Sequence, residues 1–318
     1  MIDARGRKIE YLRISVTQNC NLSCLYCSPG GWHKGEKQRV IFTPKDYQSI
    51  IGIMVRLGIN RVRVTGGEPL VRPDICRILS AVSSVPGISD LSMTTNGVRL
   101  ASMAQKLKDA GLKRLNISLD SLNRERFLKI TGADELTSVL KGIEKAVEVG
   151  LAPVKTNTVL IKGINDCEID EFIKLSKNHP IDVRFIELMP IGRFGEENRD
   201  KVVNNSQIIT AHPELQPCDT EDLSQPARYY KIPGYLGRIG FISPMSHQFC
   251  NSCNRIRLTC DGKIKPCLGN NGETDITEYL GSPEKLQEII SRAIFEKPKG
   301  HHFKEEFTSV RNMNEIGG

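Results

Sequence analysis

Along the first 190 residues, short stretches that alternate apolar and polar side chains give way repeatedly to longer ones in which apolar residues return every three or four positions. The short stretches predict strands at 9–17, 61–65, 90–96, 114–120, 154–161 and 181–189. Helical patterns lie between them. Thr43-Pro44 offers an N-cap and a first-turn proline with Gly58 as the stop, and the patterns at 100–110 and 136–149 end at Gly111 and Gly150. Strands alternating with helices imply a parallel sheet with right-handed crossovers. Six such units suggest an incomplete barrel, with a doubly wound sheet as the alternative.

Buried parallel strands normally read as continuous apolar runs. Here one face is polar in strand after strand: Arg13, Ser15 and Thr17; Arg63 and Thr65; Ser92, Thr94 and Asn96; Asn116, Ser118 and Asp120; Lys155 and Asn157. The intervening Leu12, Ile14, Val16, Val62, Val64, Leu115, Ile117 and Leu119 would pack beneath the helices. The polar face then lines a hollow lumen shared by Arg13, Arg63 and Lys155, which Arg184 could join from the sixth strand. Unpaired cations are too costly to bury, so a polyanion is expected there. A solvated sheet face is the plainer reading.

Residues 191–235 are rich in Gly, Asn and Pro and read as a connection, which divides the chain into a barrel unit at 1–225 and a smaller unit at 226–318. A short strand is expected within 234–243, a hairpin turn at Asp261-Gly262 and a helix at 283–295. The excess of 44 Lys+Arg over 37 Asp+Glu permits nucleic acid without demanding it. With 1 Trp, 7 Tyr and 10 Phe and no aromatic–basic run, the chain lacks the stacking platform of an RNA binder. No apolar stretch approaches a signal peptide or a membrane span, so the expectation is a soluble, cytoplasmic protein without membrane or nucleic-acid partners. In that compartment the 10 cysteines should be thiols or metal ligands.

Six of the cysteines form two constellations. Cys20, Cys24 and Cys27 follow the first strand as C-x3-C-x2-C, where the active sites of parallel barrels gather. Three thiolates can hold three irons of a 4Fe–4S cube and leave the fourth open; zinc would want a fourth ligand, for which His33 is the nearby candidate. Cys250, Cys253 and, thirteen residues further on, Cys267 make the second set, with a zinc ribbon completed by His247 as its alternative. Between them Arg255 and Arg257 alternate along a strand and would face one way, as suits a phosphate or carboxylate.

The first constellation, with Tyr26 before its last cysteine and Thr65-Gly66-Gly67-Glu68-Pro69 at a strand end, resembles the radical S-adenosylmethionine (SAM) enzymes. The joint pattern is similar to the GTP 3′,8-cyclase family of molybdenum cofactor biosynthesis, the MoaA family. It includes Arg13-Ile-Ser-Val-Thr, Thr94-Thr-Asn-Gly, Asn116-Ile-Ser-Leu-Asp, Val154-Lys-Thr-Asn, Lys162-Gly-Ile-Asn-Asp, Arg184-Phe-Ile-Glu-Leu-Met, the paired arginines and the Gly317-Gly318 end. That resemblance implies an incomplete (β/α)6 TIM-like barrel with a smaller C-terminal α+β unit carrying a second Fe–S cluster. It implies two 4Fe–4S clusters, on Cys20, Cys24 and Cys27 and on Cys250, Cys253 and Cys267, and SAM bound by Tyr26, Gly67, Ser118 and Met189. GTP would meet Arg13, Arg63, Thr94, Lys155, Arg184, Arg255, Ile256 and Arg257, of which Arg13, Arg255 and Arg257 are expected to be catalytic, and Gly317-Gly318 would reach into the active site. A 5′-deoxyadenosyl radical would take the C3′ hydrogen of GTP, and C3′ would then join C8. The same resemblance implies a donor such as flavodoxin or ferredoxin, a downstream cyclic pyranopterin monophosphate synthase and a homodimer. A radical SAM enzyme modifying a peptide, with an auxiliary cluster, is the rival reading.

Two features depart from that family. Ser28-Pro29 stands where it has Met-Pro, and Cys260 falls inside the second spacer, where a free strand cysteine is expected rather than a fourth ligand. Cys76 and Cys167 are expected as small core residues and Cys218 as inert.

Overall fold

The polar and apolar alternation sorts onto two faces of one sheet. The computed structural model describes the chain apart from residues 29–41, 220, 221, 223, 304, 306 and 318. All six expected strands are present, most a residue or two shorter at their ends: β1 (Tyr11–Ser15), β2 (Arg61–Thr65), β3 (Asp90–Thr95), β4 (Arg114–Ser118), β5 (Val154–Leu160) and β6 (Ile181–Glu187). They pair in parallel in chain order. Six more follow: β7 (Gln216–Pro217), β8 (Ala227–Lys231), β9 (Ile239–Ile242), β10 (Arg255–Leu258), β11 (Lys263–Lys265) and β12 (Thr274–Asp275).

The later strands build no sheet of their own. Strand β10 joins β1 and β9 joins β6, both in parallel, so the six-stranded core becomes eight parallel strands; antiparallel β11–β12 and β8–β7 extend the two flanks. The chain from residue 226 onward is thus hydrogen-bonded into the barrel sheet at both edges, and the order β12 to β7 leaves the barrel open.

Helices α1 (Pro44–Arg56), α2 (Ile75–Ser83), α3 (Leu100–Asp109), α4 (Arg124–Thr131), α5 (Leu136–Glu148) and α6 (Ile169–Asn178) connect the first six strands. Thr43 caps α1 as expected: the Asp46 amide donates to its hydroxyl at 3.3 Å, and the Asp46 carboxylate accepts from the Thr43 amide at 2.7 Å. The helices bury Ile50, Met54, Leu79, Val82, Leu107, Val139 and Phe172 against Leu12, Ile14, Val62, Val64, Leu115 and Ile117, all fully buried. These strand residues have the parity opposite to the polar face.

Two expectations change, and the fold adds one placement. The supposed connection at 191–235 contains α7 (Gly192–Glu197), α8 (Asn205–Ala211) and β8. Asn204 caps α8 by accepting from the Ser206 amide, and β8 buries Ala227 and Tyr229 while exposing Arg228, a short alternation hidden among Gly and Pro. Cys167 is exposed rather than core, because it sits in the single turn before α6. Ile256, grouped with its arginine neighbours, does not share their face: it pairs with Leu12 and lies fully buried in the apolar layer. Strand parity is the reason.

That placement predicts a stability effect. Ile256→Ala should lower unfolding free energy by about 2–5 kcal/mol and Ile256→Val by about 0.5–1.5 kcal/mol, read by urea denaturation of the cluster-free protein. Equal, near-zero costs would place Ile256 outside the core.

Candidate active site

The register of three neighbouring strands sets the site's electrostatics. Arg257 of β10 lies opposite Arg13 of β1, which lies opposite Arg63 of β2, so three guanidinium-bearing residues stand abreast on one face. Directly opposed like charges destabilise a sheet. Arg63 and Arg257 are buried, and none of the three has a carboxylate partner among the described residues. Arg63 donates only a long bond to Ser92 (3.3 Å) and stacks over the Tyr11 ring. The Nε of Arg13 and that of Arg184 are buried without a hydrogen-bond partner among the described residues. Burial lowers the Arg63 and Arg257 pKa values to about 10, and at Arg257 the Arg255 charge adds to it; burial, Arg257 and Arg63 push Arg13 further down.

These side chains line a cavity of about 540 Å³. Among the described residues nine cations reach it (Arg13, Arg61, Arg63, Arg114, Lys155, Arg184, Arg255, Arg257 and Lys297) against one carboxylate, Asp222. Asp222 is taken by Arg61, Arg114 pairs with Asp90, and Lys155 lies 3.6 Å from Asp182 and donates to the Tyr229 hydroxyl at 2.9 Å. Arg184 donates to the Asn116 side chain at 2.6 Å. Among the described residues no carboxylate pairs with Arg13, Arg63, Arg255 or Arg257.

Both cysteine sets open into the same cavity, together with Tyr26, Gly67, Thr94, Ser118 and Met189. The first set sits at the C-terminal end of β1, and the glycine-rich end of β2 is pressed onto it. A β-carbon on Gly67 would lie 2.3 Å from the Asn19 carbonyl oxygen, and the amides of Gly67 and Glu68 donate to Thr17 and Asn19 carbonyls at 2.6 and 2.7 Å. Buried Glu68 then accepts from the amides of Leu70 and Asn96 and the Thr95 hydroxyl, tying the ends of β2 and β3 together. Tyr26 is oriented by its hydroxyl bond to Asp120 (2.7 Å), whose other oxygen accepts from the Val159 amide. Burial raises the Asp120 carboxyl to about 6 against those bonds.

The two sets differ electrostatically. Burial, then neighbouring Cys20 and Asp120, push Cys27 up to about 12; Cys24 rises by burial and by Cys27. Cys253 is also raised by burial, but Arg255 and Lys297 outweigh it and bring the thiol down to about 6. No three Cys, His, Asp or Glu side chains converge on a single-ion position among the described residues. A cubane, which takes each thiolate on a different iron, asks for no such point, and three thiols that resist ionising together suit a cationic iron core. Cys260 does not line the cavity; it is buried beside Ser15 and Asp261. His247 is exposed and turned to Arg228. Ser28 continues the first loop with its amide bonded to Cys24, whereas Pro29 and His33 lie outside the described residues.

The C-terminal segment is built into the site. Helix α9 (Pro283–Phe295) precedes it, and the short α10 (Met313–Ile316) ends at Gly317, whose φ of +81° and proximity to Thr65 and Ser15 exclude a side chain. Arg257 donates to the Gly317 carbonyl at 3.2 Å, Ile316 is fully buried, and Met313 lines the cavity; Gly318 lies outside the described residues. Sequence reasoning missed Tyr11 and Arg61, although both share parity with the arginine two residues on, and Arg114. It had no signal for Lys297, which follows a helix.

A single cavity with both cysteine sets at the open parallel barrel defines the class. The Radical SAM superfamily model matches residues 14–176, and the Molybdenum Cofactor Synthesis C model matches 181–303. Within that superfamily the chain belongs to the GTP 3′,8-cyclase family. It is 46% identical to the GTP 3′,8-cyclases of Alkaliphilus oremlandii over 321 residues and of Clostridium acetobutylicum over 320, covering 100% of each and of itself. Among solved structures, Streptococcus suis SuiB bound to S-adenosylmethionine matches 85% of the chain with a TM-score of 0.62 at 17% identity, and the chain spans 64% of SuiB's length. Native anSMEcpe with bound AdoMet matches 92% of this chain and 82% of its own, with a TM-score of 0.56 at 15% identity. These likenesses establish the fold.

Two outcomes follow from this geometry. Gly67→Ala should abolish iron binding at the first set while leaving far-ultraviolet circular dichroism intact, because the loop must yield to the new methyl group; wild-type iron content would contradict the close approach. In cluster-free protein, limiting iodoacetamide at pH 7 should label Cys253 well before Cys27. Lowering the pH to 5 should cut the Cys253 rate about tenfold, since thiolate is lost as pH falls through about 6. Peptide mass spectrometry reads both, and equal labelling of the two would refute the contrast.

Proposed function

We propose that the chain is a GTP 3′,8-cyclase whose cationic lumen holds the triphosphate of GTP between two 4Fe–4S clusters. The observation that carries this reading is the unneutralised Arg257–Arg13–Arg63 row facing a cavity into which both cysteine sets open. Cys20, Cys24 and Cys27 would hold one cluster and Cys250, Cys253 and Cys267 the other. The first cluster, held by Cys20, Cys24 and Cys27, would supply the electron that splits SAM into methionine and a 5′-deoxyadenosyl radical. That radical would take the C3′ hydrogen of GTP, and C3′ would join C8. A second electron and a proton, the electron from a donor such as flavodoxin or ferredoxin, would complete 3′,8-cyclo-7,8-dihydro-GTP.

The protein's part is binding, orientation and exclusion of water. Arg13, Arg63 and Arg257 take the phosphate charge, with Lys155 and Arg184 across the lumen on β5 and β6. Their side chains already stand on a rigid sheet, so little ordering remains to be done on binding. Arg257 also holds the Gly317 carbonyl, which couples the anion grip to the C-terminal tail. Tyr26, Gly67, Ser118 and Met189 are the SAM side of the cavity, and Arg255, stacked over Phe249 and 3.6 Å from the Cys253 sulfur, belongs to the second set. Thr94 completes the GTP side; Ile256 can take part only through its main chain, given its buried side chain.

No helix among the described residues is long and apolar enough to cross a membrane. A cytoplasmic homodimer fed by flavodoxin or ferredoxin, passing its product to a cyclic pyranopterin monophosphate synthase, fits a substrate and cofactors of that compartment.

The test is 5′-deoxyadenosine release by anaerobically reconstituted, dithionite-reduced protein given SAM. Release should require GTP, and deuterium should move from C3′-labelled GTP into deoxyadenosine. Release indifferent to GTP would shift the substrate to a peptide. Arg63→Met should weaken GTP binding by about 10- to 150-fold, the worth of a charged hydrogen bond at roughly 1.5–3 kcal/mol, with iron content unchanged. Removing residues 317–318 should lower kcat more than it raises KM.

A further inference from the structure

Nothing in the proposed reaction uses Lys297, yet few side chains here are so strongly constrained. It follows α9, whose Leu286, Ile290 and Ile294 anchor it in the core, and it is only 3% exposed. Its Nζ donates to the Arg255 carbonyl at 2.8 Å and the Pro266 carbonyl at 2.5 Å. One carbonyl begins β10 and the other precedes Cys267, so a single ammonium clips together the two segments that carry the second cysteine set. It has no carboxylate partner among the described residues, unlike buried Lys265, which lies 3.3 Å from Glu273. Its uncompensated charge acts on both Cys253 and Cys267 and reaches the cavity wall with them.

The clip is itself braced. Arg7, paired with Asp3 at 2.6 Å, donates to the carbonyls of Lys297, Pro298 and Lys299 and to that of Cys250 at 3.0 Å. The first residues of the chain thereby hold the 297–299 segment against the second cysteine loop.

We propose that Lys297 is the positioning and charge-balancing residue of the second cluster, fixing the spacing of its cysteine loops and holding its reduction potential up. This rests on the reading that Cys250, Cys253 and Cys267 carry a 4Fe–4S cluster. Such a core with three thiolates is net negative and gains a further negative charge on reduction, so a fixed cation beside it favours the reduced state.

The experiment uses the full-length chain with Cys20→Ala, Cys24→Ala and Cys27→Ala, so that only the second set can take iron. After anaerobic reconstitution, the cluster's midpoint potential is read by EPR-monitored redox titration in this parent and with Lys297→Met, Lys297→Gln or Lys297→Arg added. Glutamine keeps a donor without the charge, and arginine keeps the charge. The expected result is a lower potential for the Met and Gln variants and a parent-like one for Arg. Loss of the cluster from Met and Gln but not from Arg supports the same charge requirement, exerted at assembly. An unchanged potential in Met and Gln overturns the proposal, and so does an equal shift, or loss of the cluster, in all three. A parent that takes up no 4Fe–4S complement would instead refute the reading of the second set itself.

Discussion

Three arginines abreast on neighbouring parallel strands are the constraint around which this molecule is arranged. Arg257, Arg13 and Arg63 are held in register by β10, β1 and β2, and a ladder of like charges has no reason to persist unless an anion completes it. Among the described residues, the carboxylates Asp222, Asp90 and Asp182 at or beside the cavity are engaged by Arg61, Arg114 and Arg238. The row thus keeps no carboxylate partner among the described residues, and the surrounding apolar layer is what makes it rigid. Leu12, Val62 and Ile256, alternating with the arginines, are locked beneath the helices and leave the guanidinium groups one direction only.

The C-terminal third of the chain completes this arrangement instead of standing apart from it. Strand β10 brings Arg257 and the second cysteine set to the edge of β1, while β9 and β8 bring Tyr229 to Lys155 on the far side. Small, fully committed contacts hold these additions: Arg7 on four carbonyls, Lys297 on two, Arg311 on Asp261 and Glu273 just ahead of the tail. Each is a buried or half-buried cation hydrogen-bonded to fixed partners, which gives direction as well as attachment. Gly317 can approach Thr65 and Ser15 only because that attachment delivers it there.

Much of this was legible beforehand because it is written in short-range patterns. Period-two alternation marked the six strands and separated lumen from core, so Arg13, Arg63, Lys155 and Arg184 could be assigned to one cavity from parity alone. Cysteine spacing marked the first set and the Cys250–Cys253 pair for a similar reason, since residues of one loop sit a few positions apart, whereas Cys267 lies beyond β10 and β11. The failures share a cause as well. The strand at Ala227–Lys231 lay among turn-forming residues, and Cys167 fell in a single turn at a helix start.

By itself the sequence determined the βα order, the two cysteine sets and the side of each strand that would carry charge, because those follow from local periodicity and from loops that close on themselves. Only the tertiary structure decided which strands lie side by side. It put Arg257 beside Arg13 across more than two hundred residues, folded the second cysteine set into the same cavity as the first, and turned Lys297 and Arg7 onto its loops. Such pairings depend on sheet register and on buried polar groups finding partners far along the chain, and no local pattern encodes them.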